Sequence, residues 1–234
     1  IFEGHSDCRW DHFKHLDGDD MLEHVRVVVF PWIKSNLSAE GNLFAQAMKD
    51  AVFLIPKGSL MVEMVNTIDR IYELIDKEQK AGQSFNDLQG DIYEEFLSEI
   101  ATAGKNGQFR TPRHIIQMMA VMLDPKIGEI VCDPAGGTAG FLLASYRQVL
   151  ASNTSDAYLT TDRFGITHGT RGDKITNEDH WKFLQNDSFF GFDFDTTMVR
   201  IGVMNLMVHG LNNPRFKYQD TMSKSFNEFN KYDI

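Results

Sequence analysis

The sequence predicts an α/β protein in which a helical amino-terminal domain precedes a doubly wound core of strands and helices. The first observation is the stretch 129–141, in which a short apolar run ends in Asp133, crosses a glycine-rich turn and enters a helix. The second is a later apolar run, 189–193, which also ends in an acid and leads into a helix. The third is that apolar residues in the first hundred or so positions recur at helical spacing. We therefore predict a helical domain over residues 1–103 and a core over residues 104–234.

The amino-terminal domain contains three predicted helices. The first runs from about residue 20 to residue 35, and Pro31 is the position where a kink is expected. The second follows a break at Gly58, continues for about five turns, and ends before a predicted loop at 77–82. The third spans residues 91–101.

The glycine-rich turn is typical of a nucleotide-binding strand, turn and helix. Gly136, Gly137 and Gly140 lack Cβ atoms where the backbone must turn sharply or a ligand must approach closely. A P-loop is excluded because no Lys follows these glycines, and a dinucleotide loop fits poorly because residues 142–155 contain no acid. Asp133 either accepts hydrogen bonds from a ligand's amine or orders the turn. An ordinary strand-to-helix turn in another α/β domain remains an alternative.

A helix is predicted to begin near Thr111 and to continue to about Leu123. Thr111 is the predicted N-cap, with Pro112 at the first helical position. Backbone N–H groups at a helix start bind carboxylates, and Arg110 or Arg113 is a suitable charge partner for the same group. The alternative is an ordinary helix start without a ligand.

The second half of the core follows a polar segment. Residues 151–187 are predicted to be an insertion between the first and second strands, with one short helix at about 178–184. The second strand ends at Asp193, the position at which nucleotide-binding sheets hold ribose hydroxyls. Asp195 is the rival acid, but its place just before an apolar helix predicts an N-cap. A third strand is predicted at 216–219.

Two motifs resemble those of a known family. Residues 133–141 read Asp-Pro-Ala-Gly-Gly-Thr-Ala-Gly-Phe, and residues 107–113 read Gly-Gln-Phe-Arg-Thr-Pro-Arg. Together they resemble the N6-adenine DNA methyltransferases and, more closely, the modification (M) subunit of type I restriction-modification systems. The resemblance covers most of residues 10–234 and implies a Rossmann-like core that binds S-adenosyl-L-methionine.

The resemblance also assigns a cofactor site. It implies that the glycine-rich turn and the 107–113 segment hold S-adenosyl-L-methionine, with Asp193 as the ribose acceptor, although the family more often carries Glu there. Asp220, after the third strand, is expected either to contact the adenine amino group or simply to cap a surface turn. The residues expected to bind the cofactor are Gln108, Phe109, Arg110, Thr111, Pro112, Arg113, Asp133, Gly137, Thr138, Ala139, Gly140 and Asp193.

The catalytic motif of the family, Asn-Pro-Pro followed by Phe or Tyr, comes directly after the fourth strand. A fourth strand is predicted to begin within 229–234, and no Asn-Pro-Pro occurs in the 234 residues. The resemblance therefore implies a core truncated before its catalytic motif, with the catalytic residues expected just after Ile234 and no metal required. The implied reaction is methyl transfer to N6 of a flipped-out adenine in DNA. One alternative is a non-catalytic scaffold subunit that binds cofactor and DNA. Another is an unrelated Rossmann-type oxidoreductase, which leaves residues 107–113 unexplained.

Composition bears on how such a protein would hold DNA. The formal net charge is −10, from 33 acidic and 23 basic residues. A protein that grips DNA alone usually carries a basic surface, so we expect partners to supply much of the contact. The resemblance implies double-stranded DNA, a specificity subunit, a second M subunit and a restriction subunit as partners. The sequence has neither an apolar run of about 18 residues nor a secretory signal, and only two cysteines, so we expect no membrane partner and a cytoplasmic location.

Overall fold

The computed structural model of the chain describes residues 4–36, 48–80, 92–93, 96–97, 111–161, 165–228 and 230–234. The chain divides into two compact units, Ile1–Phe85 and Asn86–Ile234. The division therefore lies earlier than the boundary that the sequence predicts after residue 103. Tyr93 belongs to the second unit, and its Oη donates a hydrogen bond to the Ile201 carbonyl of that unit at 3.4 Å.

The first unit is helical, as predicted. Its helices are α1 (Trp10–Phe13), α2 (Gly18–His24), α3 (Phe30–Asn36) and α4 (Gly58–Lys80), and a 3-10 turn covers Ser6–Cys8. A π-helical turn, Val25–Val29, joins α2 to α3, so the predicted helix 20–35 is confirmed. The wide turn ends two residues before Pro31, whose backbone nitrogen carries no hydrogen and so cannot donate a helical hydrogen bond. The core of this unit consists of Phe13, Met21, Leu22, Val25, Val29, Met61 and Val65.

The predicted loop at 77–82 is wrong in part. Helix α4 continues to Lys80, because Lys77, Glu78, Gln79 and Lys80 are all good helix formers and no breaker precedes Gly82. Of the predicted helix 91–101, residues 92–93 and 96–97 are helical, and its other residues lie outside the described part of the chain.

The second unit is built on a parallel sheet. Strands β1 (Val131–Asp133), β4 (Phe189–Asp193) and β5 (Arg215–Tyr218) lie in the order β1-β4-β5, with Val131 opposite Phe189 and Phe190 opposite Arg215. Its helices are α5 (Arg113–Leu123), α6 (Gly140–Ser152), α7 (Glu178–Asn186) and α8 (Thr196–Val208). The short helix predicted in the polar insertion is confirmed as α7. The insertion also holds a small antiparallel pair, β2 (Thr160–Thr161) and β3 (Thr167–His168), that was not predicted.

The final residues lie along the free edge of β1. The Ile234 N–H donates to the Ile130 carbonyl at 3.2 Å, and the Cys132 N–H donates to the Ile234 carbonyl at 2.9 Å. This is the hydrogen-bond pattern of a parallel pair between Val131 and Ile234. Residues 230–234 do not form a regular strand, so what the structure shows of the predicted fourth strand is this backbone contact of Ile234. Strand β1 therefore has β4 on one side and Ile234 on the other. Because β4 and Ile234 both follow β1 in the chain, the strand order reverses at β1.

Helices cover one face of the sheet and aromatic side chains cover the other. On the first face Tyr146 of α6 packs edge-on against Phe189 of β4, with ring centroids 5.8 Å apart. On the opposite face Phe226 and Tyr232 pack against Phe192 and Phe190 at centroid distances of 5.2 and 5.3 Å. Both faces of the central strand β4 are therefore covered, as is usual in a parallel sheet. In the part of the chain that the structure describes, no helix is both long enough and apolar enough to cross a bilayer.

Candidate functional site

The site is organised by the glycine-rich turn that joins β1 to α6. Gly137 has φ +52° and Ala139 has φ +63°, so two residues of the turn are left-handed. The Gly136 N–H donates to the Phe192 carbonyl at 2.8 Å, and the Ala139 N–H donates to the Gly136 carbonyl at 2.7 Å. Ala139, whose side chain is buried, precedes α6. Non-glycine residues rarely adopt this left-handed conformation, and those that do are concentrated at functional sites.

The three glycines of the turn have different roles. A Cβ at Gly136 would lie 2.5 Å from Cε2 of Phe216, and one at Gly140 would lie 3.3 Å from Cδ1 of Ile116. These two positions are therefore small because side chains of the core pack on them. Gly137 has open space around its Cα and is required by its positive φ. Of the three, only Gly137 combines a sharp turn with room for a ligand.

Asp193, the last residue of β4, connects this strand to the turn. Its Oδ2 accepts the Gly137 N–H at 2.9 Å, and its Oδ1 accepts the Asp195 N–H at 2.8 Å. Asp195 caps α8 by accepting the N–H groups of Thr197 and Met198 at 2.7 and 3.4 Å. The predicted strand end at Asp193 and the predicted N-cap at Asp195 are both confirmed. The role of Asp193 as a ribose acceptor stays a prediction.

Asp133 lies beside Asp193 at the carboxyl end of β1. Its Oδ1 accepts the Ala135 N–H at 3.0 Å. Its Oδ2 is shielded from water and has no hydrogen-bond partner among the described residues. Burial raises the pKa of the Asp133 carboxyl, the Ala135 N–H lowers it in part, and the charge of Asp193 raises it further. An acceptor left unused in this way is suited to a ligand that brings a donor.

The loop after β5 lies next to the same turn. Thr221 donates its Oγ1 hydrogen to the Pro134 carbonyl at 2.9 Å. Asp220 is exposed and accepts the Met222 N–H at 2.9 Å, so it caps a surface turn. Its contact with an adenine amino group stays a prediction.

Two residues of the site were missed in the sequence analysis. Phe194 stands between Asp193 and Asp195 and is 74% exposed at the carboxyl edge of the sheet. Its signal is an aromatic residue directly after a strand that ends in acid. Asn205, in α8, is fully buried, and its Nδ2 donates to the Thr138 carbonyl at 2.8 Å. Its signal is a single polar residue on the apolar side of a helix.

The segment before α5 differs from the prediction. Pro112, with ψ 137°, is the N-cap, and the helix begins at Arg113. The predicted N-cap at Thr111 is therefore wrong, because the proline ring restricts φ but leaves Pro112 extended in ψ. Gln108, Phe109 and Arg110 lie outside the described residues.

The predicted site residues fall into two groups. In the first group, one hydrogen bond joins Asp193 to Gly137, in the turn that also contains Thr138 and follows Asp133. Arg113 and Gly140 instead line a cavity of about 300 Å³ between α5, α6 and the insertion, and Asp133, Gly137 and Asp193 are not part of its lining. Within the described ranges, no three His, Cys, Asp or Glu side chains are placed to hold a metal ion.

Comparison with known proteins relates this chain to a family. Residues 84–234 match the family model described as N-6 DNA Methylase. The chain is 30% identical over 223 residues to the type I restriction enzyme EcoEI methylase subunit of Escherichia coli, covering 92% of this chain and 39% of that protein. It is 28% identical over 206 residues to the type I restriction enzyme StySPI methylase subunit of Salmonella potsdam, covering 87% and 34%.

A solved structure gives the same result. It comes from work on the structural basis of complex assembly and conformational transition of the type I R-M system. It matches this chain with a TM-score of 0.63 and 25% identity. The match covers 93% of this chain and 40% of that one. The chain therefore spans about two fifths or less of the length of these relatives.

Proposed function

The chain belongs to the N-6 DNA methylase family, and on that basis we propose that it forms the S-adenosyl-L-methionine-binding, Rossmann-like core of a type I modification subunit. The activity proposed for the whole protein is methyl transfer to N6 of adenine in DNA. One observation carries the proposal: Asp133, Gly137 and Asp193 meet at the carboxyl edge of the sheet at β1, where the strand order reverses between β4 on one side and Ile234 on the other. Open α/β sheets bind their ligands at such a switch point.

The chemistry of these residues fits the cofactor. We propose that Asp193 accepts the ribose hydroxyls through the acceptor capacity left on its carboxylate, because each oxygen has a second lone pair. We propose that the unused Oδ2 of Asp133 accepts a hydrogen bond from the ammonium group of the methionine part of the cofactor. The exposed ring of Phe194 offers a surface on which the adenine ring stacks. The start of α5, with Arg110 or Arg113, remains the proposed partner of the carboxylate.

The residues of this chain position the cofactor for methyl transfer. Bound S-adenosyl-L-methionine supplies an electrophilic methyl group. The acids and the rigid turn hold the molecule in one orientation, and orientation contributes much of the rate in such a reaction. No Asn-Pro-Pro occurs in the 234 residues, so every role proposed here concerns the cofactor rather than the target base.

We propose partners from the nature of the relatives. The solved relative is described in terms of the assembly of the type I R-M system, and this chain has a net charge of −10. An acidic chain needs basic surfaces elsewhere to hold DNA. The proposed partners are therefore double-stranded DNA, a specificity subunit, a second modification subunit and a restriction subunit, and the cytoplasm is the proposed location.

Calorimetric titration of the chain tests the proposed cofactor. We expect one-to-one binding of S-adenosyl-L-methionine and of its demethylated product, because both carry the ribose and methionine groups that the site is proposed to recognise. NAD and ATP are the comparison ligands, and neither should compete. Binding of NAD without any response to S-adenosyl-L-methionine would show that the assignment is wrong.

Replacing Asp133 by asparagine tests the unused carboxylate oxygen. In Asp133→Asn the acceptor for the Ala135 N–H remains but the charge is lost, and we expect affinity for S-adenosyl-L-methionine to fall about tenfold, equivalent to about 1.4 kcal/mol. Stability should respond differently. Because the folded pKa of Asp133 is raised, the folded wild type binds more protons than the unfolded chain between the unfolded pKa of about 3.9 and the folded pKa. Its free energy of unfolding therefore falls as pH rises through this window.

The measurement is urea unfolding at a series of pH values together with cofactor titration. The difference in unfolding free energy, variant minus wild type, should rise through the window and then level off. Asp195→Asn is the matched control, because it makes the same chemical change at a helix cap where Asn serves as well as Asp. An identical pH slope in wild type and Asp133→Asn would contradict the role given to Asp133.

A further inference from the structure

We infer that Asn205 is a positioning residue. Its hydrogen bond to the Thr138 carbonyl holds the glycine-rich turn in the conformation that binds the ligand. The inference rests on the proposed function, because it assigns the turn to cofactor binding. Asn205 lies in the third turn of α8, and its side chain has no exposed surface. Its Nδ2 donates to the Thr138 carbonyl at 2.8 Å.

The bonded carbonyl belongs to a restricted peptide unit. The peptide between Thr138 and Ala139 offers two polar groups: its carbonyl accepts from Asn205, and its N–H donates to the Gly136 carbonyl at 2.7 Å. The preceding residue, Gly137, donates its own N–H to Asp193 at 2.9 Å. Three hydrogen bonds thus hold the segment from Gly137 to Ala139, whose first and last residues are left-handed. A turn held in this way before the ligand arrives loses little entropy on binding.

Helix α8 comes close enough to the turn to make this contact specific. A Cβ at Gly202 would lie 3.2 Å from the Gly137 carbonyl oxygen and 3.1 Å from the Phe216 ring. Gly202 precedes Asn205 by three positions and so lies on the same side of the helix. The close approach at Gly202 brings the backbone of α8 next to the turn. The short side chain of Asn205 can therefore reach the Thr138 carbonyl.

Asn205 is a costly residue for packing alone. Its Oδ1 is buried and has no hydrogen-bond partner among the residues that the structure describes. A buried polar atom without a partner costs stability, whereas a leucine of similar size would fill the space without that cost. The amide therefore contributes mainly through the donor that it gives to Thr138.

The test compares Asn205→Leu with Thr154→Val. Thr154 is also fully buried, and its Oγ1 donates to the Leu150 carbonyl at 2.8 Å and accepts the Gly172 N–H at 2.9 Å, far from the turn. We expect both variants to unfold at lower temperature than wild type. Well below those temperatures, Asn205→Leu should bind S-adenosyl-L-methionine about tenfold more weakly, whereas Thr154→Val should bind within about twofold of wild type.

A second readout is independent of the cofactor. The backbone amide resonances of Gly137, Thr138 and Ala139 should shift or broaden in Asn205→Leu and remain in place in Thr154→Val. If Asn205→Leu does not fold, Asn205→Ala removes the same donor without adding bulk beside Gly202. Unmoved amide signals, or affinity equal to wild type in an Asn205 variant, would overturn the inference. If wild type binds no S-adenosyl-L-methionine, the proposed function fails, and the amide signals still decide whether Asn205 holds the turn.

Discussion

Replacing Phe216 by alanine is expected to lower the free energy of unfolding of the second unit by about 3–5 kcal/mol. The ring is 2% exposed and occupies the space left by three glycines, Gly136 in the turn, Gly191 in β4 and Gly202 in α8. Its removal leaves a cavity that none of these glycines can fill. The measurement is urea unfolding of wild type and of Phe216→Ala, monitored by circular dichroism.

A double-mutant cycle tests whether Gly191 must be small because the Phe216 ring packs against it. A Cβ at Gly191 would overlap the Phe216 ring, so Gly191→Ala alone should destabilise by about 1–3 kcal/mol through overpacking. In the Phe216→Ala background the same substitution should cost little. Phe190→Ala is the control, because Phe190 packs against Tyr232 on the opposite face of the sheet. Additive effects of Gly191→Ala and Phe216→Ala would show that the contact is unimportant.

Replacing Asp193 by alanine should weaken binding of S-adenosyl-L-methionine about 30-fold, equivalent to about 2 kcal/mol. The proposed hydrogen bonds to the ribose hydroxyls are charge-assisted, and water replaces only part of them. The substitution also releases the N–H groups of Gly137 and Asp195, which the carboxylate accepts at 2.9 and 2.8 Å. Cofactor titration and the thermal midpoint are the two measurements.

Asp195→Ala is the control for this experiment. It removes a carboxylate only two positions away, but one that caps α8 through Thr197 and Met198. We expect a loss of about 1 kcal/mol in stability with cofactor affinity nearly unchanged. If Asp195→Ala lost affinity while Asp193→Ala bound normally, the ribose acceptor would be Asp195 rather than Asp193.

The sequence by itself determined the features that depend on neighbouring residues. An apolar run ending in acid placed the ends of β1 and β4 at Asp133 and Asp193. Helical periodicity and the residues that cap or break helices placed α4, α7 and the N-cap at Asp195. These signals are local, because hydrogen bonds within a helix or at its cap join residues at most four apart. At the start of α5 the sequence predicted an N-cap at Thr111, and the structure has it one residue later, at Pro112.

Only the tertiary structure decided how these elements meet. The small size of Gly136 is explained by the ring of Phe216, and the Thr138 carbonyl is held by Asn205, in each case by a residue more than sixty positions away. The contact of Ile234 with β1, which makes β1 the point where the strand order reverses, likewise spans about a hundred residues. The raised pKa of Asp133 arises from burial and from Asp193 on a different strand. Packing and electrostatic interactions act between residues that are close in space. A local sequence pattern does not show which distant residue will become a neighbour, so it cannot predict these contacts.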